Sequence, residues 1–495
     1  MSSASARWFA SPALRVALVT LLLAFGLMGT RAIWDPDEGR YTNVALTMLD
    51  TGNFVDLSRH HETGHWTKPP VTYWAIAASV AVFGQNPWAA RLPAALAFLA
   101  CTWLAWRLAR RLQPGTENMA ALAFATMLLP FGAANLITTD FVLAAFQALA
   151  MWAWVESRFG PPERGGRWLL LMWVAFAVAF MTKGPPALLP LLAVAAMQWL
   201  APEPAAGRAR AWWTGALVFV LLALPWYLVV VLRHEGLLGY FLGTEVVARI
   251  ASDSLHRNPQ WYGWLLVYGP TLLLGTLPWT GALLRAARSG LARVRAWGDA
   301  AVRQAEAPHL FLWAWVLLPL LVFCIARSRL PLYVLSLFVP LALLVARQRF
   351  AQGLGLPRLR WLAVWVAVLL ALRLASALWP SHKDAGRWAE ELSARAGGPV
   401  DEVIFVEDMA RYGLHLHMNA SVEKISLDPK PKPEFGAEFD SNFAGELMER
   451  ERALWVCKQP LFPELRERAA ALGFELEPLG DTYEGRVVFR AKPRE

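Results

Sequence analysis

The sequence predicts a polytopic α-helical membrane protein with a soluble α/β tail, and three observations carry that prediction. Hydrophobic residues make up 56% of the 495 and charged residues 17%, against about 25% charged in an ordinary soluble domain. Uncharged runs of about 18 residues, long enough for a helix to cross a bilayer, recur from residue 13 to residue 379 and then stop. Beyond residue 380 the chain turns charged and its long apolar runs end. The expected organisation is therefore a membrane domain over residues 1–379 and a soluble domain over 380–495.

Taken in order, the candidate spans are 13–30, 88–108, 118–135, 138–156, 168–182, 185–201, 212–232, 261–284, 309–326, 330–347 and 360–379. Arg7 and Arg15 precede an apolar run from Val16 to Met28 that no good small-residue cleavage pattern follows, so the first span reads as a retained helix rather than a secretory signal. Val71 to Phe83 is apolar but has 13 residues, short of the roughly 20 a span requires, and reads as an interfacial or re-entrant helix.

Arginine distribution tests that choice, because basic residues in short loops stay on the cytoplasmic side. With the N-terminus inside and Val71 to Phe83 not crossing, one side collects Arg107, Arg110 and Arg111, then Arg158, Arg164 and Arg167, then Arg208 and Arg210, then the runs from Arg285 to Arg303 and Arg347 to Arg360. These anchors account for the net charge of +9 without nucleic acid as a partner. The outer side keeps the loop 31–87, the turns at 135–140, 182–184 and 327–333, the loop 233–260 and the tail, which together hold most of the side chains able to do chemistry. Cys101, Cys324 and Cys457 lie too far apart in sequence to suggest a metal motif or a disulfide framework.

In the tail, Val403 to Val406 and Val487 to Phe489 read as strands, and Asn442 to Leu454 and Phe462 to Leu472 as amphipathic helices, with Pro429 to Pro433 as an extended connector.

The loop 31–87 carries the densest polar pattern. Asp35, Asp37 and Glu38 open it, and such acids either hold a divalent cation, supply a general base, or cap the helix that follows. Arg40, Tyr41 and Lys68 next to them are the donors a phosphate-bearing lipid head group requires, and are equally the residues that anchor a helix at a membrane surface. His60, His61 and His65 are spaced as zinc ligands that Asp37 or Glu38 would complete, or as a solvated cluster. Trp261, Tyr262 and Trp264 form an aromatic belt or stack on sugar, His256 and Arg257 meet a head group or water, and Arg327 and Arg329 favour phosphate binding by breaking the inside bias of the basic residues.

The pattern DEGRY, TKPPVTYW about 25 residues on, FG and then NPWAARLPAAL resembles the GT-C membrane glycosyltransferases of the aminoarabinose transferase and protein mannosyltransferase type. Thr139-Asp140, MTKGPPALLP, EVVAR, HRNPQWYGW and SRLPLYVLSLFVPLALL extend the likeness over about 330 residues. The resemblance implies about 11 to 13 transmembrane helices and transfer of a sugar from a polyprenyl-phosphate-linked donor to a lipid or glycan acceptor on the periplasmic face of a bacterial inner membrane. Carried over by position, it implies Asp37, Glu38 and Asp140 as the catalytic acids, and Arg40, Tyr41, Lys68, Arg249, Tyr333 and Lys183 as groups facing the donor phosphate. A divalent metal on Asp35, Asp37, His60, His61 and His65 stays open, and no other cofactor is required. Thr67 stands where the aminoarabinose transferases have an acid, which weakens a metal site borrowed from them. A lipid A-like acceptor is favoured, with protein hydroxyls as the alternative, and a lipid or sugar transporter is the competing class.

Overall fold

The structure is a computed structural model that describes residues 11–60, 63–202, 209–248, 257–431, 433–449 and 452–494. The chain forms two compact units, one of residues Met1–Leu27 and Pro93–Arg373, the other of Met28–Leu92 and Leu374–Glu495.

The first unit is helical. Six helices among the described residues are long and apolar enough to cross a membrane: Pro87–Leu112, Pro162–Lys183, Ala209–Arg233, Ala307–Ile325, Pro331–Ala351 and Leu359–Leu378. Further helices lie in the remaining candidate spans, so each of the eleven predicted segments is at least partly helical. Helix Thr139–Phe159 is buried on nearly all sides, as expected of a helix that is apolar all round and central to its bundle. Ala209–Arg233 and Leu359–Leu378 are apolar yet mostly exposed, as lipid-facing helices are.

Two predicted spans are broken. Residues 118–135 divide at Met127 into Glu117–Thr126 and Leu128–Ala133, and 261–284 divides into Gly263–Gly275 and Thr280–Arg293. The breaks serve each other: Leu128 N donates to Leu277 O at 3.1 Å, Trp279 Nε1 to Thr126 Oγ1 at 2.9 Å, and Trp365 Nε1 to Thr126 O at 2.8 Å. Backbone groups freed within an apolar bundle need such internal partners, because no water reaches them. Arg373 works in the same way, its Nη1 donating to Gly26 O at 2.8 Å and its guanidinium lying 4.3 Å from the Phe131 ring centre. The predicted outer loop 233–260 contains further helical turns over Leu237–Ala248.

The second unit joins the opening loop to the tail. Asp37–Thr51 and Val71–Phe83 are helices packed on each other, with the hairpin β1 (Ser58–His60) and β2 (Thr63–Gly64) between them in sequence. At about 1.5 Å per residue the 13-residue helix reaches about 20 Å, short of a bilayer core. The tail builds β3 (Glu402–Val406), β4 (Ser421–Ser426), β5 (Ser441–Asn442), β6 (Ala453–Lys458), β7 (Phe474–Pro478) and β8 (Arg486–Pro493) into one sheet of order β5-β4-β3-β6-β8-β7. β3 to β6 pair in parallel and β8 and β7 antiparallel.

Alternate residues feed the two faces. Val403, Phe405, Leu454 and Val456 pack with Trp388 and Leu392 on one side, and Ile404, Val406, Trp455 and Cys457 with Phe443 and Leu465 on the other. Within the predicted helix Asn442 to Leu454, Phe443–Glu449 is helical, whereas Ala453 and Leu454 begin the central strand β6. A strand buried on both faces lacks the alternating pattern that separates strand from helix in sequence.

Candidate functional site

In the second unit the first turn of helix Asp37–Thr51 sends its two acids in opposite directions. Glu38 is buried, and its carboxylate accepts from Arg31 Nη1 and Nη2 at 2.7 and 2.9 Å, from Arg91 Nε and Nη2 at 3.2 and 3.1 Å, and from Trp34 N at 2.9 Å. Burial alone would raise its pKa, but the Arg91 and Arg31 guanidiniums outweigh it and hold the carboxyl at about 2. Arg91 also donates to the carbonyls of Met28, Arg31 and Ala32. Glu38 is thus the centre of a buried ionic knot that shapes the start of the loop.

Asp37 is 70% exposed and pairs with Arg40 Nη2 at 2.6 Å. It is the acid of this turn whose lone pairs face water. Behind it the Tyr41 and Tyr73 rings stack at 5.5 Å, Tyr73 OH lies 2.8 Å from His65 Nε2, and Thr67 Oγ1 lies 3.0 Å from the same nitrogen. Burial, reinforced by Arg40, Arg59 and Lys68, depresses His65 well below the usual imidazole range, so the ring is neutral. Lys68 Nζ donates to Thr67 O at 2.5 Å.

Asp35 turns inward. Its oxygens accept from Gly413 N at 3.1 and 3.3 Å, and burial pushes its pKa up to about 8 against the opposing pull of that N–H and of Arg411. The close approach explains the glycine of DEGRY, since a Cβ on Gly39 would lie 1.8 Å from Asp35 Oδ1 and 2.5 Å from Gly413 N. His60 Nε2 lies 2.9 Å from Glu402 Oε1. Among the described residues Asp35, Asp37, His60 and His65 therefore do not converge on a common point. His61 and Arg249 lie outside the described residues, as does His256.

In the first unit Asp140, Lys183 and Tyr333 are brought together, although 193 residues separate the first from the last. Thr138 caps helix Thr139–Phe159 by accepting from Asp140 N, which places the Asp140 carboxylate at the helix's positive end. That carboxylate pairs with Lys183 Nζ. Lys183 ends its own helix before Gly184 (φ +74°), and its ammonium sits 4.7 Å from the centre of the Tyr333 ring. Arg257 Nη1 donates to Tyr333 OH at 3.2 Å. Arg257 joins this cluster although its surroundings in sequence suited water as well as a head group.

Arg329 behaves otherwise. It is buried and donates to Asn258 O at 2.7 Å, Gln260 O at 2.8 Å and Cys324 O at 3.0 Å, so it holds the 257–260 turn in shape, where its sequence position suggested phosphate binding.

Residues 67–229 match the family model described as dolichyl-phosphate-mannose-protein mannosyltransferase. The undecaprenyl phosphate-alpha-4-amino-4-deoxy-L-arabinose arabinosyl transferase of Aeromonas salmonicida is 31% identical over 423 residues, covering 80% of this chain and 73% of the relative. The corresponding proteins of Enterobacter sp. and Pseudomonas aeruginosa are 31% and 34% identical over 70% and 72% of this chain. The chain spans 62% and 64% of the length of those two relatives. The crystal structure of ArnT from Cupriavidus metallidurans in the apo state aligns over 99% of this chain and 98% of its own, with a TM-score of 0.76 at 20% identity. The Archaeoglobus fulgidus oligosaccharyltransferase complex with Zn and sulfate aligns over 98% and 73%, with a TM-score of 0.53 at 11% identity. These likenesses establish the GT-C fold that the motifs implied, and with the six apolar helices they make the chain a bacterial inner-membrane protein. By its likeness to the Aeromonas protein, the chain belongs to the family of the undecaprenyl phosphate-alpha-4-amino-4-deoxy-L-arabinose arabinosyl transferases.

Proposed function

We propose that this protein is a glycosyltransferase that moves a pentosyl group, of the aminoarabinose kind, from a polyprenyl-phosphate-linked donor to a lipid A-like acceptor. The observation that carries the reading is the family relation over 423 residues. A related ArnT has been crystallised bound to undecaprenyl phosphate, and the polar groups of this chain suit that ligand.

In this reaction the bond between the sugar's anomeric carbon and the donor phosphate breaks, an acceptor oxygen bonds to that carbon, and polyprenyl phosphate leaves with the negative charge. Lys183, Tyr333 and Arg257 supply an ammonium, a phenol and a guanidinium within one cluster, the donors that stabilise such a leaving group. Asp140 holds Lys183 in place. Arg40, Tyr41, Lys68 and Arg249 take phosphate-facing roles through their motif positions. Asp37, exposed and acceptor-rich, takes the proton of an acceptor hydroxyl, or orients a phosphate acceptor that needs little help from a base. Glu38, with its oxygens committed to two arginines, positions Asp37 rather than reacting.

The arginine bias supports a cytoplasmic N-terminus and a periplasmic location for the loop and tail. The described loop candidates Asp35, Asp37, His60 and His65 do not fit one shared ion, and no step is assigned to a metal there. Sugar transfer to protein hydroxyls is the second reading, favoured by the mannosyltransferase family model over residues 67–229.

Asp37→Asn tests the assignment. Transfer to lipid A, followed by mass spectrometry of the product, is expected to fall by about a hundredfold or more, while binding of the polyprenyl-phosphate donor persists. Undiminished product would remove Asp37 from the mechanism, and product on protein with none on lipid would select the second reading.

A further inference from the structure

Three carboxylates that the proposed chemistry does not use meet inside the second unit. Glu402 opens β3, Glu423 is the third residue of β4, and Glu446 lies on helix Phe443–Glu449. The parallel register pairs Glu402 with Ser421 and Ile404 with Glu423, so strand alternation puts Glu402 and Glu423 on one face of the sheet. Phe443 and Leu447 pack on that same face beside Ile404, which brings Glu446 over the two strand acids. One oxygen from each of the three lies within 4.8 Å of the other two.

All three residues are buried, at 2%, 1% and 4% exposure. Glu402 has a basic neighbour in His60, whose imidazole it pushes above the usual range against the cost of burial. His60 Nε2 and Ser421 Oγ each lie 2.9 Å from Glu402 Oε1, and the nearby Arg59 guanidinium is spent on Asp440, at 3.0 and 2.7 Å. Glu423 Oε2 is sealed from water and receives no hydrogen bond. A buried carboxylate oxygen without a donor costs several kcal/mol in general, and proteins meet that cost by pairing the charge or by coordinating a metal. Burial, reinforced at Glu423 by the neighbouring Glu446, raises the pKa of both acids, as expected where a positive charge is missing.

We infer that Glu402, Glu423 and Glu446 bind one calcium-sized divalent cation. The ligand set is all oxygen, which selects hard cations over zinc or copper. Calcium sits about 2.3–2.6 Å from its oxygens, so ligands on opposite sides stand up to about 5 Å apart, whereas magnesium draws them to about 4 Å. Oxygens within 4.8 Å of one another fall inside the calcium range.

Such an ion ties β3, β4 and helix Phe443–Glu449 to one point. Through Glu402 it also bears on His60 and hence on hairpin β1–β2, which belongs to the same loop as Lys68. The site is a structural clamp, independent of the sugar-transfer reading.

The test uses the full-length protein in detergent, stripped with a chelator and titrated with calcium by calorimetry, with Tm followed in parallel. One calcium per chain, a rise in Tm on binding, and weaker uptake of magnesium are expected. Glu423→Gln and Glu446→Gln, each first checked for monodisperse elution, are expected to lose the binding heat and the calcium-dependent part of Tm. No heat at millimolar calcium with an unchanged Tm overturns the inference. So does calcium uptake that both variants retain, or a protein stabilised by acid alone, which would mean that the acids share protons instead.

Discussion

Asp37 and Glu38 are adjacent acids with opposite fates, and the difference is decided by their partners. Glu38 is enclosed by Arg31 and Arg91 and cannot lose its charge without stranding two buried guanidiniums. Glu38→Ala is therefore expected to destabilise the protein by about 3–5 kcal/mol, read as a lowered Tm in detergent, whereas Asp37→Asn is expected to leave Tm unchanged. The sequence singled out both acids but not the knot, because Arg91 lies 53 residues from Glu38 and local spacing carries no trace of the contact. Asp35 adds a pH dependence. Its folded pKa of about 8 stands above its ordinary value of 3.8, so the folded state binds the extra proton and stability falls as pH rises from about 4 to about 8. Asp35→Asn, which keeps a neutral side chain of the same shape, is expected to flatten that part of the Tm profile between pH 4 and pH 8. A variant that tracks the wild type would show that Asp35 is ionised in the fold.

At the scale of elements, hydropathy located the apolar segments because lipid-exposed helices such as Ala209–Arg233 must be apolar throughout. It did not show where helices break. The interruption near Met127 is satisfied by hydrogen bonds from Trp279 and Trp365 to Thr126, and the one near Leu277 by Leu128 N, partners that come from distant parts of the chain. Helix pairing likewise depends on single positions. Gly215 lets helix Ala209–Arg233 approach helix Gly165–Lys183, and a Cβ there would fall 2.1 Å from Trp173 Cδ1. Gly215→Ala is expected to displace the indole and cost about 1–3 kcal/mol, measurable as a lower Tm with little change in donor affinity. An unchanged Tm would mean that Trp173 shifts freely.

At the scale of the whole molecule, the motifs conveyed the fold family and the residue set, while the assembly of the second unit was hidden. Residues 28–92 fold with the tail through contacts that cross more than 300 positions: Asp35 with Gly413, Arg59 with Asp440, His60 with Glu402 and His415 with Asn43. The tail's central strand β6 was also obscured, because burial on both faces removes the pattern that marks a strand. The first unit's cluster was more legible: Asp140, Lys183 and Tyr333 each sit in a motif, and the fold brings them together with Arg257. The central claim is sugar transfer from a polyprenyl phosphate carrier, and reconstitution tests it most directly. Purified protein is incubated with undecaprenyl phosphate-linked aminoarabinose and lipid A, and both products are followed by mass spectrometry. The account predicts aminopentose-modified lipid A and free undecaprenyl phosphate in equal amounts, both lost in Asp37→Asn. Intact donor and unmodified lipid A, from wild-type protein that still binds the donor, would contradict it.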